Sequence, residues 1–156
     1  MSMEQMDAAK EARVWQRVQN RETTDRLRPE NGSLIHTAGE QAGYYRALSR
    51  ALPGRNGEKL REYGRRQQRS ADCLRGICRL SGLPLPPEQP VPVRTQHPRQ
   101  MLERCCREEK RLVEEYSART SDPEWGRVYA HLAAEAAERC CVLLEILGGM
   151  GRPEKP

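Results

Sequence analysis

The segment LPLPPEQPVPVRTQHP, residues 83–98, constrains this chain more than any other. Six of its 16 residues are proline. Each proline lacks a backbone N–H and fixes φ, so the segment is neither helix nor central strand. It predicts an extended, polyproline-like connection. At about 3.1 Å per residue such a connection reaches roughly 45 Å. A helix of 20 residues is only about 30 Å long. The segment can therefore join opposite ends of whatever lies on its two sides.

Both sides read as helical. Over 33–52 the apolar residues Leu34, Ile35, Ala38, Ala42, Tyr45, Leu48 and Leu52 recur at helical spacing, with Ser33 as the expected N-cap. Pro53-Gly54 and Asn56-Gly57 mark a turn. The stripe over 58–81 is Leu60, Tyr63, Gly64, Gln67, Ala71, Leu74 and Cys78, and Gly82 is a stop signal. After the proline segment, 98–120 carries Met101, Leu102, Cys105, Glu109, Leu112, Val113 and Tyr116. Ser121-Asp122-Pro123-Glu124 predicts the start of a last helix, 123–148. Its stripe is Trp125, Val128, Leu132, Ala136, Arg139, Leu143 and Ile146. A weaker helix is expected over 4–20. Phe is absent and aromatics are 4% of the chain, which favours helices over a sandwich or barrel.

The expected organisation is an N-terminal helix and connector over 1–32, a helical bundle over 33–149, and a disordered tail over 150–156. The bundle is all-α: two antiparallel hairpins joined by one long crossover. No run of 18 apolar residues is present to span a bilayer. No basic stretch followed by an apolar run opens the chain, so a cytoplasmic location is expected.

Three stripe positions are wrong for a plain core. At about 100° per residue, Gln67, Glu109 and Arg139 each fall near the centre of a helix's apolar stripe. A buried carboxylate is costly unless it is paired or ligates metal. One such residue on each of three helices predicts a buried polar centre, with Glu109 and Arg139 as an ion pair and Gln67 beside them.

A faint twofold repeat accompanies this pattern. Tyr45 and Tyr116 sit late in the first helix of each hairpin, and Gly82 and Gly148 end the second. With the crossover, and with the run ERCCREEKRLVEEYSARTSDPEWGRVYAHLAAEAAERCCVLLEILGG, residues 33–149 resemble the rubrerythrin-type ferritin-like proteins of bacteria. That resemblance implies a four-helix bundle holding two iron or manganese ions. Each half would supply a Glu on its first helix and a Glu-x-x-His on its second. Carried over by position, the ligand places fall on Ala38, on Gln67 and Ser70, on Glu109, and on Ala136 and Arg139. Only Glu109 of the six is a ligand type, so no cofactor and no catalytic residue are expected. The alternative, one residue out of step on the last helix, is a carboxylate site for iron or manganese built from Glu109, Glu135, Glu138 and His131.

Other motifs are weaker. His36 and Glu40, like His131 and Glu135, are four apart on one helical face, and both pairs are read as solvated. His97 is read as a helix cap. Cys105, Cys106, Cys140 and Cys141 come level across the second hairpin; a soft-metal or redox cluster is one reading, and small apolar filling is the preferred one. The net charge is +5, and Arg61, Arg65, Arg69 and Arg79 form a basic strip on one helix. Acids interrupt it and no aromatic interleaves for base stacking, so nucleic acid is disfavoured as a partner. The expected role is a structural or interaction module, either as a homo-oligomer or with another protein; the membrane is not an expected partner.

Overall fold

The computed structural model describes residues 31–87, 92–94 and 96–150. The helix expected over 4–20 and the tail beyond Met150 lie outside the described residues. The described residues fold into four helices and no strand: α1 (Asn31–Ala51), α2 (Arg55–Ser81), α3 (Pro98–Ser117) and α4 (Gly126–Gly149). None of these is long and apolar enough to cross a membrane.

Two hairpins form, α1 with α2 and α3 with α4, because their loops are short. The hairpins then pack α1 against α3 and α2 against α4. Across α1 and α3, Thr37 meets Arg111 while Glu40 meets Arg104, so the two helices run antiparallel. Across α2 and α4, Arg66 meets Glu138 while Ser81 meets Trp125, which is again antiparallel. Each helix is thus antiparallel to both neighbours, and α2 and α3 are diagonal and parallel. Only a connection spanning the bundle's length can join the end of α2 to the start of α3.

Every described residue of that connection is non-helical. It touches α1 twice. Pro86 lies against Gly32, and the Pro86 carbonyl accepts from Arg75 Nη1 at 3.3 Å. Val93 lies over Gly43, where a Cβ would come within 2.6 Å of its Cγ2. Gly32 and Gly43 are about 16 Å apart along the helix. The seven residues from Pro86 to Val93 extend to about 22 Å, enough to cover that distance.

Helix ends follow local chemistry, and three differ from the expectations above. Gly82 adopts φ 67° and closes α2: its N–H bonds Arg79 O, and the Leu83 N–H bonds Cys78 O. This is the paired bonding that satisfies the last carbonyls of a helix. His97 caps α3 by accepting from the Arg99 N–H. Ser33 does not cap α1, since Asn31 and Gly32 are already helical. The last helix begins at Gly126, not 123. The Asp122 carboxylate accepts from the N–H groups of Glu124 and Trp125, which spends it on a turn before the helix opens. Likewise α3 ends at Ser117, not 120. The Arg119 and Thr120 N–H groups turn back to Tyr116 O and Ser117 O, and Arg119 Nη1 bonds the Glu115 carbonyl at 2.8 Å.

The core is in two apolar blocks. One contains Tyr45, Leu48, Leu60, Met101, Leu102 and Leu143; the other contains Leu34, Leu74, Leu112, Tyr116 and Leu132. Between them lies a layer of fully buried polar side chains: Gln41, Gln67, Glu109 and Arg139.

Candidate functional site: a buried polar centre

The layer is built around one carboxylate oxygen. Glu109 Oε1 accepts from Gln67 Nε2 at 2.6 Å, from the Tyr45 hydroxyl at 2.7 Å, and from Arg139 Nε at 3.0 Å. Gln41 Nε2 stands at 3.4 Å and also donates to the Cys105 carbonyl at 3.1 Å. Each of the four helices supplies at least one of these side chains. Glu109 and Arg139 both have zero exposure, so their attraction acts where water does not screen it.

The structure therefore brings Gln67, Glu109 and Arg139 together. Arg139 meets the carboxylate through Nε alone, side-on. Its Nη1 turns to Glu135 Oε2 at 3.6 Å, one turn earlier on α4. Burial lowers the Arg139 guanidinium's proton affinity, but Glu109, Tyr45 and Glu135 outweigh it, and the pKa ends above its ordinary value. Burial, and then the Glu109 charge, push the Tyr45 phenol well up. Tyr45 is therefore fixed as a donor.

Gln41 and Tyr45 are members of the centre that the sequence did not single out as polar ligands. Tyr45 was an apolar stripe member, and Gln41 sits one residue before Ala42, off the narrow stripe drawn for its helix. The signal for both was their register: Gln41 and Tyr45 are one turn apart, on the same face as Ala38.

The other candidates are not assembled around Glu109. Glu138 is more than half exposed and faces Arg66 at 3.7 Å. His131 is exposed and pairs with Glu135 at 2.8 Å. His36 pairs with Glu40 at 3.6 Å, and Glu40 also binds Arg104, whose guanidinium lies 4.9 Å from the Tyr44 ring centre. Ala38, Ser70 and Ala136 are buried, and Ser70 donates to the Arg66 carbonyl of its own helix. Among the described residues no three His, Cys, Asp or Glu side chains converge as a metal would need. The donor set agrees. The centre offers one carboxylate, and its nearest groups are a guanidinium, two amide nitrogens and a phenol, all donating. Such a set does not fit two iron or manganese ions, which want several anionic oxygens and imidazoles.

On the surface, Arg46, Arg61, Gly64, Arg65 and Gln68 line a groove of about 350 Å³ between α1 and α2. It belongs to the same face as the basic strip and has no acid in its lining.

No family model, curated protein or solved structure matches the chain.

Proposed function

We propose that this chain is a ferritin-like bundle that serves as a structural or interaction module, its centre held by a salt bridge where that family would hold metal. One observation carries the reading: Arg139 Nε lies 3.0 Å from Glu109 Oε1 with both side chains fully buried. By position Arg139 takes the place of a ligand histidine. Its fixed positive charge balances the carboxylate as a cation would. Two further features support the ferritin-like reading: the pairing of the hairpins, and a long connection between diagonal helices.

Thermal melts with and without EDTA test it, and the two curves should coincide. A drop of many degrees on chelation would replace this reading with an iron or manganese site using Glu109, Glu135, Glu138 and His131. Sedimentation at rising concentration reads the interaction half. A homo-oligomer sediments faster as it is concentrated, whereas a chain that stays monomeric leaves another protein as the partner.

A second reading rests on the arginine-lined groove, which suits the phosphates of a nucleic acid. Its mark is DNA binding that weakens steeply with salt. Binding that is absent at low salt removes it.

A further inference from the structure

Six cysteines are present among the described residues, all as free thiols. Two stand apart from the rest. Cys106 on α3 and Cys140 on α4 place their sulfurs 3.6 Å apart, across the seam of the second hairpin. Both side chains belong to the core block that contains Tyr45 and Leu143, and the residues are 5% and 8% exposed. The adjacent Cys105 is fully buried. Cys73 and Cys141 are exposed.

We propose that Cys106 and Cys140 form an oxidisable dithiol that a small peroxide converts to a disulfide, cross-linking α3 to α4. The contact distance supplies the geometry. A disulfide needs sulfurs at about 2.0 Å, so closure is a movement of about 1.5 Å between side chains already touching. At 5% and 8% exposure the pair is shielded from bulky disulfides, so the oxidant the proposal names is one as small as hydrogen peroxide. The chemistry balances in two steps. One sulfur, as thiolate, attacks a peroxide oxygen, breaking the O–O bond and releasing hydroxide, to give a sulfenic acid. The second sulfur then attacks the first, forming the S–S bond and breaking S–O, and water leaves. Together two thiols and one hydrogen peroxide give one disulfide and two waters.

The pair also sits beside the polar centre. Cys106 is one turn before Glu109, and Cys140 follows Arg139 directly. Oxidation therefore clamps the two helices that carry the ion pair. Burial, and then the Cys106 contact, raise the Cys140 thiol to about 11, so little of it is thiolate at neutral pH and its own attack on peroxide is slow.

The test treats the Cys73→Ser, Cys141→Ser double variant with hydrogen peroxide and maps its peptides without reduction. Both substitutions are at exposed positions. The expected result is a whole-chain mass lower by two hydrogens, a Cys106–Cys140 linked peptide pair, and return to the starting mass with dithiothreitol. Repeating the treatment on the natural chain, with its exposed thiols first blocked by alkylation, guards against a folding defect in the variant. The proposal is overturned if Cys106 and Cys140 remain alkylatable on denaturation, carry sulfinic or sulfonic oxygens, or link to other cysteines.

Discussion

A few fully buried polar side chains, Gln41, Gln67, Glu109 and Arg139, form the layer between the two apolar blocks. Glu109 was legible from sequence alone because it interrupts an apolar stripe at helical spacing, as do Gln67 and Arg139. Their mutual distance was not legible. Counting residues from the Asp122 turn puts Arg139 about one turn, roughly 6 Å, beyond the level of Glu109; side-chain length closes that gap to a 3.0 Å contact. A count also says nothing about which face of α1 meets α3, so Gln41 escaped. Removing one partner of a buried pair leaves an unmet charge and costs about 3–5 kcal/mol. We expect losses of that size for Glu109→Leu and Arg139→Leu singly, and a much smaller loss for the double variant, by urea unfolding. Single losses that simply add would show the two are not coupled. Tyr45→Phe removes one hydroxyl that donates to the carboxylate and should cost about 1.5–3 kcal/mol. A neutral result in the same unfolding assay would mean that the Tyr45 hydroxyl is not needed there.

At the scale of elements, both hairpins depend on a glycine at the start of their second helix. A Cβ on Gly57 would strike the Leu52 carbonyl, and one on Gly126 the Thr120 carbonyl, both rigid backbone. Neither has positive φ, so the constraint is the close approach of the turn, not an unusual backbone conformation. Gly39 and Gly76 lie inside helices with nothing within 4 Å of a Cβ. Gly57→Ala or Gly126→Ala should therefore destabilise by about 1–3 kcal/mol. Gly39→Ala or Gly76→Ala should stabilise by about 0.5–1 kcal/mol through helix propensity. Thermal melts of the four variants check the sign in each case. The helices themselves could be read from the apolar spacing, and the break between hairpins from six prolines. Helix boundaries were less readable. Ser-Asp-Pro-Glu at 121–124 carries the signature of a helix start, yet Asp122 satisfies a turn first and α4 opens at Gly126. Two local structures compete for one carboxylate there, and the sequence does not say which wins.

The whole molecule has an acid–base consequence. Burial raises the thiols of Cys105 and Cys140 above their ordinary 9.0 and the phenols of Tyr45, Tyr63 and Tyr116 above 10.0, Tyr63 to about 12. Each of these groups holds its proton more tightly when folded than unfolded. The stability this brings is complete below the unfolded value and is lost as pH climbs toward the folded one. The melting temperature should not fall on this account below about pH 9, and these groups should make it drop steadily from there to about pH 12. A melting temperature that rises across that range would contradict the burial of these groups. The central claim, that a salt bridge occupies the place of a metal pair, is tested most directly by elemental analysis. The chain would be purified without chelator, incubated with iron(II) and manganese(II), desalted and measured for both metals. The account predicts metal far below one ion per chain. One or two tightly held ions per chain, lost when Glu109 is changed to alanine, would contradict it.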